Sequence, residues 1–365
     1  MKKYMFMLVT LAVAILTSLT LKGQPAATDR MNAIGKISEN VESLNHRIDI
    51  LEKQIDDLTW YNRVGDVAYI DKVYMTGPPP AKEKNPTGQG AGNPVKFWSY
   101  IFIPKDIDPS RKYPLIVFPH GGVHANFTTY YTHIVREIVA QGYIIVAAEY
   151  RGSTGYGAEM YNKIDYGGLE VQDVDASRQY MIDNYSVVDR DRVGIIGWSH
   201  GGLITLFNIF EYPEHYKVAF AGVPVSDLIA RMGYKDQEYR DLFSDQADIG
   251  KPADQDVAEY RKRSPAWQTG KYQNTPLLIH TNTNDEDVNA LEVEHLIKSL
   301  KADDKKNFSY KIFKDMPGGH SFDRMDYREA KEIRLKIYDH INKYLLPPEP
   351  FRSVKDLQKA GYGFN

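Results

Sequence analysis

At 365 residues the chain is long enough to bury a sizeable core, and roughly 300 residues remain beyond an N-terminal region, within reach of one α/β domain. Its 45 basic and 48 acidic residues leave a net charge of -3, a balance that argues against nucleic acid or anionic lipid as a partner. The absence of cysteine excludes disulfides, thiolate chemistry, Cys-based zinc sites and an N-terminal lipid-modified Cys.

Lys2 and Lys3 precede an apolar run from Tyr4 to about Leu21, the n-region and h-region of a secretory signal. Residues 1–24 are therefore read as a signal peptide or, because the small-residue cleavage candidates are poor, a signal anchor. Either form exports the body of the protein to the periplasm or beyond, and the chain meets a membrane only if the anchor is retained. Residues 31–60 follow with a heptad pattern. Ile34, Val41, Ile48 and Ile55 fall at one seam position, and Ile37, Leu44, Leu51 and Leu58 at the other. A β-branched a position with a mainly Leu d position favours a parallel two-stranded coil, and Arg47 at g with Glu52 at the next e fits pairing between strands. The competing reading is an amphipathic helix folded back on its own domain. The first predicts a homo-oligomer through residues 34–58.

Residues 61–95 hold an early strand, Asp66 to Tyr74, and a Gly/Pro-rich loop from Thr76 to Pro94 that suits neither helix nor strand. From residue 96 to residue 345 strands and helices alternate. Strands are predicted at Phe97–Ile103, Pro114–Phe118, Tyr143–Ala148, Val193–Trp198, Ala219–Val223, Pro276–His280 and Phe308–Phe313. Helices are predicted at Thr132–Ala140, Gly168–Asn184, Ser199–Phe210, Ala290–Lys301 and Asp323–Leu345. The pattern gives an α/β class with a doubly wound, mostly parallel sheet. Residues 226–272 exceed a simple crossover and are read as a small helical lid over the carboxyl edge of the sheet. Residues 346–365 are read as an irregular tail.

The chemistry is concentrated at strand ends. A β-branched run closes in Gly197-Trp-Ser199-His-Gly201 before a helical segment, the form of a nucleophile elbow. Such a turn projects a Ser hydroxyl from the sheet and aims the next backbone N–H, here that of His200, at a developing oxyanion. A Ser hydroxyl needs a base, and the base needs a carboxylate. Downstream, the strand at Leu277–His280 runs into Asp285, Glu286 and Asp287, and the last strand into Gly318-Gly-His320. The order Ser, acid, His is that of α/β hydrolases. His120-Gly121-Gly122 follows an earlier strand, and Gly121 or Gly122 is expected to supply the second oxyanion donor. His120, His124 and His133 are loosely spaced with no carboxylate cluster, so no metal is expected, and no cofactor motif is found.

With these residues in place the chain resembles the catalytic domain of the prolyl oligopeptidase family of serine peptidases, in the α/β-hydrolase superfamily. The matching segments are Tyr150-Arg-Gly-Ser-Thr-Gly-Tyr-Gly157, Gly167-Gly-Leu-Glu-Val-Gln-Asp-Val174, Asp189 to Gly202, Ser264-Pro265, Thr275 to His280 and Gly318-Gly-His-Ser-Phe322. The resemblance covers about residues 96–345. It implies the α/β-hydrolase fold, Ser199 as nucleophile and His320 as general base. It also selects Asp285, three residues before Val288, as the acid, with Asp287 as the fallback. Family members that cut peptides usually carry a β-propeller before this domain, whereas here a signal, a heptad helix and a loop precede it. His200 stands where the family usually has Tyr, and Thr281 where the acid loop usually has Gly. The expectation is an exported serine hydrolase acting on a small peptide, with a carboxylesterase acting on small or carbohydrate-linked esters as the alternative. A binding protein on a hydrolase scaffold is the third reading.

Overall fold

The continuous apolar runs become strands covered on both faces. The computed structural model describes residues 27–83, 85–245 and 249–362; the signal reading of residues 1–24 lies outside them. Among these residues eight strands form one sheet in the order β1-β2-β4-β3-β5-β6-β7-β8. They are β1 (Ala68–Thr76), β2 (Lys96–Pro104), β3 (Tyr113–Val117), β4 (Ile144–Ala148), β5 (Val188–Trp198), β6 (Val218–Gly222), β7 (Leu277–Asn282) and β8 (Phe308–Phe313). β1 pairs antiparallel with β2, and β2 with β4. The pairings from β4 through β3, β5, β6 and β7 to β8 are parallel.

All five residues of β3, β4 and β6 are buried, as a sheet covered by helices on both sides requires. Alternate residues serve opposite cores. Leu115, Val117, Val146, Ile195 and Ile279 join one core, whereas Ile116, Ile145, Ile196 and Phe220 join the other. The first core is closed by α3 (Leu169–Asn184), α4 (His200–Glu211) and α8 (Ala290–Ala302) through Val174, Leu206 and Leu296. The second is closed by α2 (Thr132–Val139), α9 (Arg328–Leu345) and α10 (Val354–Ala360) through Ile138, Ile337 and Leu357. This is the α/β-hydrolase architecture.

β5 begins five residues earlier than its apolar run. Asp189-Arg-Asp-Arg192 hides the strand from hydrophobic periodicity, and the pairing of β3 with β5 shifts register between Tyr113 and Leu115. The stretch read as an irregular tail contains α10. Ser353 and Asp356 form a capping box at its start, and Leu357 is fully buried. The loop after β1 stays irregular and is held by Arg151, which donates to the carbonyls of Pro78 (2.7 Å) and Pro79 (3.2 Å).

Helix α1 (Ala27–Val64) spans the boundary between two compact units, one ending at Ile48 and one running from Asp49. Within the second unit its last turns pack on the sheet. Trp60 is fully buried, stacked on Phe127 at 5.5 Å and edge-on to Phe102 at 5.0 Å. Lys53 is buried in an ion pair with Glu149 at 2.8 Å. The seam residues Leu51, Ile55 and Leu58 of the same turns are exposed. The helix does dock on its own domain, but through positions off the heptad seam.

Among the described residues of 226–272 lie three short helices, α5 (Leu228–Tyr234), α6 (Gln237–Ser244) and α7 (Val257–Lys262), with short turns at Pro265–Trp267 and Thr269–Lys271. They lean on the loop after β7. Lys235 Nζ donates to the Glu286 carbonyl (3.3 Å), and the Asn289 N–H donates to the Tyr234 hydroxyl (3.1 Å).

Candidate active site

Ser199 joins β5 to α4 with φ 61° and ψ -123°. Left-handed φ at a non-glycine residue costs of order 1–3 kcal/mol and persists only where the surroundings enforce it. The enforcement is visible on both flanks. A Cβ on Gly197 would lie 2.2 Å from the Gly201 carbonyl oxygen, and one on Gly201 would lie 2.4 Å from that of Pro119. Only glycine fits either place, so the strand and helix close tightly enough to hold the Ser. Ser199 itself is fixed by its N–H to the Gly222 carbonyl (2.9 Å), while its own carbonyl accepts from Leu203 (3.1 Å) and Val225 (3.2 Å).

His320 lies on the single turn Gly319–Ser321 after β8, led in by Gly318 at φ 98°. Its Nδ1 is 2.7 Å from Asp285 Oδ2. The other oxygen of Asp285 accepts the N–H groups of Asp287 and Val288, each at 2.9 Å. The Asp285 side chain is fully buried, whereas Asp287 is exposed. The geometry thus couples His320 to Asp285 and leaves Asp287 in solvent. Asp285, Asp287 and His320 offer ligand atoms within 4.8 Å of one another. Asp285 Oδ2 faces His320, and its Oδ1 accepts from two backbone N–H groups.

Sequence reasoning missed the braces of this loop. Asn282, at the end of β7, donates to the carbonyls of Met316 (2.9 Å) and Gly319 (3.1 Å) and accepts from Met316 N–H (3.0 Å). Trp198, just before Ser199, donates its indole N–H to buried Asp323 at 2.9 Å. Arg324 donates to the His320 carbonyl and stands 5.9 Å from the Trp198 ring. The His320 loop is thereby tied to the turn that carries Ser199. No short motif marks these residues, because each acts across more than 30 positions of sequence or from within an otherwise ordinary loop.

Gly121 lies against the elbow: a Cβ there would be 3.3 Å from Ser199 Cβ and 3.0 Å from the Trp198 carbonyl oxygen. Its N–H points to the Tyr131 hydroxyl at a long 3.4 Å. Gly122 takes a left-handed φ of 78°, and its carbonyl accepts from Tyr150 (3.1 Å). The N–H of His200 is the first of α4, a position that has no acceptor within its own helix. The two glycines therefore differ: Gly121 is beside Ser199, and Gly122 shapes the turn.

The His200 side chain is buried, with Nε2 3.3 Å from Glu170 Oε1 but not aligned for a hydrogen bond. It packs against Tyr166 at 4.4 Å. Beneath the Gly121 turn, His120 is fully buried and stacked on Tyr150 at 4.2 Å. Burial, opposed by the neighbouring Glu149, holds its imidazole down at about 4, so it is neutral near pH 7.

Residues 129–346 match the model of the prolyl oligopeptidase family. Mouse dipeptidyl peptidase 8 is 30% identical over 194 residues, covering 50% of this chain and 21% of its own. The acylamino-acid-releasing enzyme of Arabidopsis thaliana is 26% identical over 303 residues, covering 78% of this chain and 38% of its own. Among solved structures, a puromycin-hydrolyzing peptidase of Mycobacterium tuberculosis superposes with a TM-score of 0.59 at 21% identity, over 76% of this chain and 41% of that one. The chain thus spans between about a fifth and two fifths of the length of these proteins.

Proposed function

The chain belongs to the prolyl oligopeptidase family, and on that premise we propose that it is a serine hydrolase that cleaves peptide bonds through an acyl-enzyme on Ser199. His320 takes the proton of the Ser199 hydroxyl as the oxygen attacks the scissile carbonyl, then returns it to the leaving amine. Asp285 holds the imidazole with Nδ1–H toward itself and stabilises the imidazolium. The oxyanion is met by the N–H of His200 and by that of Gly121 or Gly122 in the adjoining turn. Water then repeats the sequence to release the acyl group. The observation that carries this reading is the 2.7 Å pairing of His320 with a buried, doubly anchored Asp285, on a loop tied to the elbow that strains Ser199.

Peptide rather than ester substrates follow from the relatives, which are named as peptidases or as an acylamino-acid-releasing enzyme. The test is covalent labelling with a fluorophosphonate, read as a mass shift on the peptide containing Ser199. Turnover of aminoacyl and Pro-linked amides is then compared with that of p-nitrophenyl esters. Efficient ester turnover with no amide cleavage would assign a carboxylesterase; no labelling at all would assign a binding protein.

Export is part of the proposal and rests on Lys2, Lys3 and the apolar run that follows. So is pairing of α1 with a second copy of this chain, in parallel. Ile34, Ile37, Val41, Leu44 and Ile48 of the first unit, and Leu51, Ile55 and Leu58 of the second, are 39% to 69% exposed. Monomeric proteins rarely leave a long contiguous apolar surface in water. Arg47 and Glu52 provide the opposite charges that a parallel partner places together.

A further inference from the structure

Lys53 is an unusual residue to find buried, at 3% exposure, on a helix that precedes the whole α/β sheet. Its ammonium lies 2.8 Å from Glu149 Oε1 and donates to the Phe127 carbonyl at 2.6 Å. Glu149 is fully buried at the end of β4, and its Oε2 accepts the Phe127 N–H at 3.1 Å. The Tyr156 hydroxyl donates to its Oε1 at 3.1 Å. Lys53 and Glu149 thus clamp both backbone polar groups of Phe127, the far end of the turn that begins at His120.

The near end is held by the His120 ring. Its Nε2 is 2.9 Å from Ser153 Oγ and 3.5 Å from Glu149 Oε2, and its Nδ1 is within 3.1 Å of both the Gly121 carbonyl and the Tyr150 hydroxyl. The groups facing His120 that carry or take charge are therefore Glu149, Lys53, Tyr150 and His200. Between the two clamps sits Gly121, against Ser199. A buried carboxylate without its cation is costly, and it would draw a proton onto the nearest base. Here that base is His120. A protonated His120 must donate from both ring nitrogens, which reverses at least one contact of the turn.

We infer that Lys53 is a positioning residue of the active site. By neutralising Glu149 it keeps His120 uncharged and fixes the His120–Phe127 turn, so that this turn stays seated against Ser199, beside the place where the oxyanion forms. The turns of the helix around Lys53 are then part of the catalytic unit. This inference rests on the serine-hydrolase reading above.

The test compares full-length wild type with Lys53→Met, Lys53→Arg and the charge-balanced pair Lys53→Met/Glu149→Gln. Turnover is counted per fluorophosphonate-reactive site, so that unfolded protein does not enter. Lys53→Met should lower kcat about tenfold or more with KM within about twofold, since an oxyanion donor acts chiefly in the transition state. It should also add a loss of kcat between pH 8 and 5, as His120 gains its proton at a higher pH than in wild type. NMR titration of His120 should show the same upward move. Lys53→Arg and the charge-balanced pair should restore most of kcat and abolish the added pH limb. An unchanged kcat and an unmoved His120 titration in Lys53→Met would overturn the inference. So would a kcat loss that Glu149→Gln does not rescue, the mark of packing alone. If wild type reacts and only these variants fail to behave as described, this inference fails alone; if wild type does not label, the reading beneath it fails first.

Discussion

His320 and Asp285, 35 residues apart in the chain, meet at 2.7 Å through Nδ1 and Oδ2 while Asp287, two residues further on, stays in solvent. The backbone N–H groups of Asp287 and Val288 fix the carboxylate that receives the imidazole. Asp285→Asn should therefore lower kcat by about 10⁴-fold, as loss of the orienting carboxylate does in Ser-His-Asp hydrolases. Asp287→Asn should stay within about threefold of wild type. Steady-state kinetics on one amide substrate decides; the opposite ranking would move the acid to Asp287.

Ser199→Ala and His320→Ala should each abolish most turnover, by about 10⁶-fold, and the double variant should lose little more, because triad members act as a unit. Intact-mass analysis after fluorophosphonate treatment should find no adduct on Ser199→Ala. An adduct of wild-type stoichiometry on that variant would place the nucleophile elsewhere.

Acid should weaken the fold before it reaches the carboxylate range. Burial holds His120 at about 4 and His280 at about 3, against an ordinary value of 6.5. Both are depressed, so the unfolded chain binds more protons than the native one below pH 6.5. Their stabilisation is complete above that value and is lost as pH falls, by about 3 kcal/mol for His120 once pH has passed about 4 and by about 5 kcal/mol for His280 once it has passed about 3. Urea midpoints between pH 7.5 and 4.5 measure it. A midpoint that rises or stays level as pH drops would contradict the burial of these rings as neutral groups.

The exposed heptad seam should make the chain a dimer. Leu44→Glu and Leu51→Glu together place four like charges in a two-stranded seam and should give a monomer in light scattering after size exclusion. Activity per site should be retained, since Leu51 is exposed whereas the Lys53–Glu149 pair is buried. A wild-type monomer at tens of micromolar would dismiss the pairing.

Much of this molecule was legible without coordinates. The apolar runs of β3, β4, β6 and β7 announced strands because a strand buried on both faces has no polar positions to interrupt it. Gly197 and Gly201 announced the elbow because a close backbone approach admits no other residue. These are local constraints, each written within a few residues. β5 escaped in part because Asp189 to Arg192 are polar strand residues, and α10 because its single buried Leu357 makes no periodicity.

The chain by itself determined the sheet, its elbow and the order of Ser199, Asp285 and His320 at strand ends, since propensity, turn chemistry and hydrophobic period act over short stretches. Only the tertiary structure brought Asp285, the carboxylate that the resemblance had selected, into contact with His320, and turned Trp60 and Lys53 rather than the heptad seam toward the domain. Those choices depend on distances between residues 30 to 100 positions apart. Such distances are set by how the layers pack, which no local pattern encodes.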